Sequence, residues 1–161
     1  RLIRLNGKPG QGSHDADRAV TLFVSLVERS APDQITALLT DMRRKDPVLL
    51  SRAERLIDLD ALYQRAALNG DPIAMREHAL RLRAGASTPA QIAASSDWLR
   101  QAADSGDAAA MMLLSQAYSI GLGVEPSLTL ARQWLGQAAD AGDAQARATL
   151  ALLAPEPPRS E

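Results

Sequence analysis

The residues best suited to acid–base or metal chemistry in this cysteine-free chain are its two histidines, His14 and His78. They lie far apart in the sequence, and neither stands in an H-E-x-x-H pattern or beside matched carboxylates, so the spacing predicts no metal site. Ser13, His14 and Asp15 are the residue types of a hydrolase triad, but adjacent residues cannot form the required chain of side-chain hydrogen bonds. We therefore predict no catalytic and no metal-binding residue, and we expect each histidine at the surface or at a helix end.

Glycine clusters and a pair of carboxylates are the other patterns that could bind a ligand or catalyse a reaction. The glycines within residues 7–12 and 121–123 are of the kind that surround a phosphate, but no predicted strand precedes them, and turns between helices account for them. Asp58 and Asp60 lie two residues apart, a spacing that on a helix points side chains in different directions. The sequence thus predicts no cofactor, and it predicts that the protein is not an enzyme.

The composition favours one folded domain or a short array of repeats. The chain has 161 residues, 46% hydrophobic and only 3% aromatic, so its core must be built mainly from Ala and Leu, which are strong helix formers. A net charge of -1 argues against nucleic acid as a partner. The basic run at 43–45, close to Asp41, is interpreted as a solvated helix end. No apolar run is long enough for a transmembrane helix, so none is predicted.

An internal repeat of 36 residues is the strongest signal in the sequence. The stretches 62–75, 98–111 and 134–147 align without gaps and read LYQRAALNGDPIAM, WLRQAADSGDAAAM and WLGQAADAGDAQAR. This alignment predicts one structural unit repeated along the chain. Its anchor residues are Leu62, Trp98 and Trp134 at the first aligned position, and Gly70, Gly106 and Gly142 at a shared turn.

Each copy is predicted to form two helices, termed helix A and helix B. Asp107 is a good N-cap for helix A, and Gly121 ends that helix. Gly121 and Gly123 supply the positive φ that the following turn needs, and Pro126 is placed in the first turn of helix B. The preceding copy has equivalent signals, which are Asp71-Pro72 before helix A, Gly85 after it and Thr88-Pro89 before helix B.

The apolar faces of these helix pairs predict that the pairs stack. Leu130, Trp134, Leu135 and Ala138 lie along one stripe of helix B, and a single pair cannot cover such surfaces on both of its sides. We expect Trp98 and Trp134 to fill the space between neighbouring repeats, where each indole contributes about 4–6 kcal/mol at most. The predicted product is an array of antiparallel helix pairs.

The residues from Asp97 to Leu153 resemble the Sel1-like repeat, a relative of the tetratricopeptide repeat. Its usual pattern is G-x-G-V-x-x-D-x-x-x-A-x-x-W-x-x-x-A-A-x-x-G, and Ser127 stands here where Asp is common. The resemblance implies an all-α fold, a right-handed α-α superhelix (solenoid) of antiparallel helix pairs with repeats of about 36 residues. The matching residues are Gly121-Leu122-Gly123-Val124, Ala131, Trp134, Ala138-Ala139 and Gly142.

The N-terminal part of the chain follows this pattern less closely. Residues 7–23 look like the second half of a repeat, with Gly12 in its turn and Leu22 in place of tryptophan. One helix is predicted over residues 32–45, opened by a Pro-Asp pair, and a second over residues 47–68. The distance from Leu22 to Leu62 is 40 residues rather than 36, so an insertion is expected here.

These boundaries predict a single Sel1-like solenoid over residues 1–154, followed by a flexible Pro-rich tail over residues 155–161. The chain begins at Arg1, without methionine and within a repeat, so we expect it to be part of a longer precursor. The predicted parts of the solenoid are a partial repeat at 1–31, a divergent repeat at 32–70, repeats at 71–106 and 107–142, and a capping helix at 143–154.

A stack of this kind exposes a concave face lined largely by A helices, which suits binding to a peptide, a helix or a domain of another protein. We expect this concave face to contain residues that share one side of helix A and do not contribute to the core. An alternative interpretation makes them ordinary solvent-facing side chains. The candidate partner-binding residues are Arg76, Leu80 and Arg83 in one repeat and Met112, Gln116 and Ser119 in the next.

The function implied by the resemblance is that of a non-catalytic scaffold or adaptor for protein–protein interactions. Sel1-like proteins are often bacterial extracytoplasmic scaffolds, and the leading specific expectation is an alginate-type exopolysaccharide export assembly, in which such a protein is a periplasmic lipoprotein. Alternatives are a regulatory or virulence-associated protein that binds a signalling partner, a peptidoglycan- or carbohydrate-binding module, and an enzyme of the lytic transglycosylase kind. We expect a periplasmic or other extracytoplasmic monomer, with the cytoplasm as the alternative location.

Overall fold

The structure is a computed structural model that describes residues 11–153, with side chains from residue 14 onward. Over this range the chain forms nine helices and no strand, which confirms the predicted all-α fold class. The helices divide into an N-terminal and a C-terminal unit at the boundary between Asn69 and Gly70. The predicted tail at 155–161 and the beginning of the predicted partial repeat lie outside the described residues.

The N-terminal unit contains four helices. Helix α2 packs against the two helices that follow it, and α1 packs against α2 and α3. The most completely buried side chains of this unit include Val27, Ile35 and Leu39, so its core is mainly aliphatic, with Phe23 and Tyr63 also buried. The helices are α1 (Gln11–Arg29), α2 (Pro32–Lys45), α3 (Pro47–Ala53) and α4 (Leu59–Leu68).

The predicted single helix over 47–68 is wrong, because the chain forms α3 and α4 with a turn at 54–58 between them. Asp58 is the N-cap of α4, and its Oδ1 accepts the N–H of Ala61 at 3.0 Å. Ile57 in the turn is buried, which fixes the chain where its direction changes. The break follows from a cap and one apolar contact, with neither glycine nor proline inside it.

Two further expectations for the N-terminal unit need correction. Gly12 lies inside α1 rather than in a turn, since the residues that follow it contain no helix breaker and the first helical turn tolerates glycine. Leu22 does not take the place of a repeat tryptophan in the core. Its side chain is 63% exposed, and the neighbouring Phe23 is buried instead.

The predicted solvated helix end at 43–45 is confirmed as the last turn of α2. Asp41 accepts a hydrogen bond from Arg44 Nη2 at 3.0 Å, and its other oxygen lies 2.7 Å from Lys45 Nζ. The hydrogen bonds from Lys45 and Arg44 hold the pKa of the Asp41 carboxyl below its usual value, because both favour the charged form.

The C-terminal unit contains five helices, each packed against the next along the chain. Helices α5 and α6 form one A/B pair, α7 and α8 form the next, and α9 is a further helix A. The helices are α5 (Pro72–Ala84), α6 (Pro89–Asp104), α7 (Ala108–Ile120), α8 (Leu128–Asp140) and α9 (Ala144–Leu153).

The three aligned stretches adopt the same local conformation, as the sequence predicts. In each, a glycine with φ between 93° and 102° ends the turn, and the following Asp accepts the N–H of the residue three positions later. The accepting atoms are Oδ1 of Asp71, Asp107 and Asp143, and the donors are Ala74, Ala110 and Ala146, at 3.0, 2.7 and 2.7 Å.

The turn between α7 and α8 also follows its sequence signals, with one exception. Gly121 and Gly123 have φ of 73° and 70°, as predicted. A Cβ on Gly123 would lie 2.5 Å from the backbone oxygen of Ile92 in α6, so this position needs glycine for space as well as for conformation. Pro126 is not in the first turn of helix B. Ser127 is the N-cap of α8, and proline lies before it.

Trp98 and Trp134 are half-buried. The Trp98 ring meets the ring of His78 edge-on, with centroids 5.2 Å apart, and His78 lies in the middle of α5. His78 therefore lies within a helix rather than at a helix end, and it is half-buried beside the indole. Leu130 is exposed, so the predicted helix B stripe is narrower than expected and its buried part consists of Leu135 and Ala138.

Candidate functional site

The described residues contain no cluster of three or more His, Asp or Glu side chains that could hold a metal ion. Among residues 11–153, no helix is both long enough and apolar enough to cross a membrane. His14 is exposed and His78 packs against Trp98, and the two lie in different units. A functional site must therefore be sought in the shape and the chemistry of the surface.

A groove of about 510 Å³ lies between α7, α8 and α9. Its floor is made of buried side chains. Its sides carry polar, apolar and cationic groups. We term it the α7–α9 groove. Its floor residues are Met112, Ser115, Ala131 and Leu135, and its sides are formed by Gln116, Ser119, Leu128, Thr129, Arg132, Thr149 and Leu153.

The floor of the groove is held by apolar packing and one buried hydrogen bond. Met112 packs in a cluster with Leu135 and with alanines of α8 and α9. Ser115 Oγ donates to the backbone oxygen of Ala131 at 2.7 Å, which links α7 to α8 and satisfies the buried hydroxyl. Residues of three helices thus hold the floor in place.

The sides of the groove expose large apolar side chains together with one charge. Leu128 is 73% exposed and Leu153 is 53% exposed. Arg132 is the only charged residue among the lining side chains that the structure describes, and it is itself exposed. Such a mixture of apolar surface and arginine is typical of protein interfaces.

Three of the six residues predicted for partner binding line this groove, and these are Met112, Gln116 and Ser119. Gln116 and Ser119 are exposed, as the prediction requires. Met112 is only 8% exposed and belongs to the core, so the expectation that this helix face does not serve the core is wrong at that position. Met112 has two roles, because it supports α8 and also forms the groove floor.

The other three predicted residues lie on α5 and are half-buried. Arg76 donates from Nε to Asp107 Oδ2 at 3.1 Å and from Nη1 to Glu77 Oε1 at 2.9 Å, so its guanidinium is occupied within the fold. Leu80 and Arg83 do not line the α7–α9 groove. A concave face that unites both sets of residues stays a prediction.

The sequence prediction missed the lining residues of α8 because it considered A helices only. It missed those of α9 because it considered only the A helices of the two complete repeats, α5 and α7. Leu128, Arg132 and Leu135 have the i, i+4, i+7 spacing that puts residues on one helix side, and this was the available signal. A second signal was the comparison of repeats, in which Arg132 replaces Ser96.

Comparison with known sequences identifies one family of repeats in this chain. The sequence profile of the Sel1 repeat matches residues 61–71, 72–107 and 108–143, which together exceed half of the chain. The second and third matches each contain one observed A/B pair and end at an aspartate that caps the next helix A. A search of curated protein sequences finds no match.

Solved structures of similar fold include the following two. A Sel1 repeat protein from Oxalobacter formigenes is 22% identical with a TM-score of 0.61, covering 84% of this chain and 54% of that one. The second is c5321, described as a protective antigen present in uropathogenic Escherichia coli strains and displaying an SLR fold. It is 21% identical with a TM-score of 0.55, covering 92% of this chain and 36% of that one.

The chain therefore spans about half the length of the first structure and about a third of the second. Both support the α-helical solenoid class that the sequence predicts. The aspartate caps and the glycines of positive φ recur at the ends of the profile matches. On these grounds the chain belongs to the Sel1 repeat family.

Proposed function

We propose that this protein is a non-catalytic scaffold that binds other proteins, and that the α7–α9 groove is part of its binding surface. Sel1 repeats generally mediate protein–protein interactions. We choose this surface because Leu128 and Leu153 are exposed beside an apolar floor. Large exposed apolar side chains around a concave surface are a feature of interaction sites.

The chemistry of the groove supports binding rather than catalysis. Its described lining contains hydroxyl, amide and guanidinium groups but no carboxylate or imidazole to act as a general acid or base. A carbohydrate-binding role is not favoured, because such a site needs exposed aromatic rings. Both tryptophans are half-buried, and Trp98 is covered in part by His78.

We further propose that this scaffold acts in the bacterial cell envelope, specifically in an assembly that exports exopolysaccharide. It is supported by the resemblance to extracytoplasmic Sel1-like scaffolds, and one protein of similar fold is described as a protective antigen of uropathogenic strains. Cell fractionation and the genes that neighbour the coding sequence test it. A cytoplasmic protein encoded among signalling genes would instead support the regulatory alternative.

Site-specific cross-linking tests the binding role of the groove. A photoreactive amino acid is placed at Ser119, which is exposed inside the groove, and in a second sample at Gln133, which is exposed on α8 outside it. We expect a discrete protein cross-link in cells from position 119 and none from position 133. The Leu128→Ser variant should weaken the cross-link, and Leu56→Ser, an exposed leucine of the N-terminal unit, should leave it unchanged. Equal cross-linking from both positions contradicts the proposal.

A further inference from the structure

On the basis of the proposed function, we propose that the α7–α9 groove binds an apolar segment of a partner protein that presents an aspartate or glutamate side chain to Arg132. The partner is thus defined by two features, a short run of apolar side chains and one carboxylate beside them. The apolar side chains meet the floor and the exposed leucines, and the carboxylate meets the guanidinium.

The first argument is the uncompensated charge of Arg132. Among the described residues it is the only charged one that lines the groove, and its guanidinium makes no hydrogen bond or ion pair within residues 14–153. Its neighbours one helical turn away in either direction are Leu128, Thr129, Leu135 and Gly136, none of which carries a carboxylate. A guanidinium without an internal partner is complementary to a carboxylate, which it can bind through two parallel hydrogen bonds.

The second argument comes from the equivalent position in the preceding repeat. Ser96 lies on α6 36 residues before Arg132, and its Oγ donates to the backbone oxygen of Leu122 at 2.9 Å. The neighbouring Gly123 approaches so closely that an added Cβ would lie 2.6 Å from Ser96 Oγ. The turn that follows α7 therefore rests directly on α6, and a small side chain at position 96 is needed for that contact.

Helix α8 carries different residues at the corresponding positions. Leu128 replaces Ile92, and Arg132 replaces Ser96. A serine at position 96 leaves room for residues 121–124 to approach α6, whereas the larger arginine at position 132 would have to move aside before a turn approached α8 as closely. Ile92 is half-buried, whereas Leu128 is 73% exposed. A position used for internal packing in one repeat thus becomes an apolar and cationic surface in the next.

The floor of the groove fits an apolar segment. Met112 and Leu135 offer aliphatic surface, and the flexible thioether of methionine adapts to side chains of different shape. Gln116 and Ser119 stand beside this surface with exposed polar groups, which can pair with the backbone of a bound segment. Within residues 14–153 no carboxylate lines the groove, so an acidic side chain entering it meets no like charge from this part of the chain.

Peptide binding to the full chain tests this inference. The probes are pools of short peptides that carry Leu, Ala, Ser or Thr at variable positions and one fixed Glu, Gln or Lys. Their ends are acetylated and amidated, which removes the terminal carboxylate as a second source of charge. In an NMR titration, the Glu pool should shift the amide signals of Gln116, Ser119 and Thr129 and bind about fivefold more tightly than the Gln pool.

Substitutions at Arg132 test whether its charge causes the preference for the Glu pool. The Arg132→Glu variant should prefer the Lys pool, and Arg132→Gln should bind the Glu and Gln pools equally. Arg43→Glu makes the same charge change on an exposed residue of α2 and should retain the preference of the unmodified chain. Both positions are exposed, and thermal unfolding verifies that each of the three variants folds.

Two outcomes overturn the inference. One is equal binding of the Glu and Gln pools, or a preference for Glu that persists in Arg132→Glu. The other is a failure of every pool to shift signals of groove residues. Neither affects the cross-linking result from Ser119, so failure of this inference and failure of the proposed function are distinguished.

Discussion

Arg76 in α5 donates from Nε to Oδ2 of Asp107 at 3.1 Å, and Asp107 is the N-cap of α7. The other carboxylate oxygen accepts the N–H of Ala110 at 2.7 Å. The Arg76 side chain is 20% exposed and that of Asp107 only 6%, so the pair is shielded from water. One carboxylate thus begins a helix A and also links it to helix A of the preceding repeat.

We predict that this pair contributes a measurable coupling energy. Arg76→Met introduces the residue found at the equivalent position 112, and Asp107→Asn retains a cap acceptor but removes the charge. A double-mutant cycle in urea unfolding should give a coupling of about 1–2 kcal/mol, because a shielded hydrogen bond between charged groups is stronger than an exposed one. Additive effects of the two substitutions would show that the contact contributes nothing to stability.

Three Gly→Ala substitutions should separate backbone strain from steric conflict. Gly123→Ala should lower the free energy of unfolding by about 2–3 kcal/mol, since the new Cβ conflicts with Ile92 at a φ of 70°. Gly106→Ala should cost about 1–2 kcal/mol, because its φ is 93° but the space is open.

The matched control is Gly136→Ala, which lies within α8 with no atom near its Cβ. It should stabilise the protein by about 0.5–1 kcal/mol through improved helix propensity. Thermal or urea unfolding measures all three. If Gly106→Ala proved as destabilising as Gly123→Ala, the close approach of the turn to α6 would lose its support.

Trp98→Ala should destabilise the protein by about 2 kcal/mol, because a half-buried indole and its edge-on contact with His78 are lost. Arg83→Ala on α5 should cost less than about 1 kcal/mol, since it removes a half-buried side chain outside the main core. Differential scanning calorimetry compares the two. Similar shifts in Tm would count against the tryptophan as an anchor of the repeat.

The carboxyl of Asp41 should titrate at a pKa below its ordinary value, because Lys45 and Arg44 donate hydrogen bonds to it. Since the folded pKa is lowered, its small stabilising contribution is present above the unfolded pKa and is lost as pH falls through the folded pKa. NMR titration of the carboxyl carbon measures this directly. Lys45→Met should raise the pKa toward the ordinary value, and Arg43→Met should leave it unchanged.

Much of the C-terminal unit could be predicted because its signals are local. An aspartate cap such as Asp107 acts on backbone N–H groups within one turn, and a glycine such as Gly121 is selected by its own φ. These requirements recur every 36 residues, so the alignment of three copies made each signal clearer. The helix boundaries in this unit therefore follow from the sequence almost entirely.

The remaining features depend on contacts between helices. The turn at 54–58 is marked only by Asp58 and by the burial of Ile57, and burial is a property of the packed unit. Likewise, the groove joins residues of three helices, and an exposed Leu128 has no local sequence signal. The replacement of Ser96 by Arg132 was visible in the sequence, but its meaning needed the contact between Ser96 and the turn after α7.

Hydrogen exchange of the full chain, alone and bound to the protein that cross-links to position 119, tests the central claim most directly. The account predicts slower exchange in residues 112–119 and 128–135 of the complex, with residues 32–45 of the N-terminal unit unchanged. Protection confined to the N-terminal unit, with the α7–α9 groove exchanging as in the free protein, would contradict it.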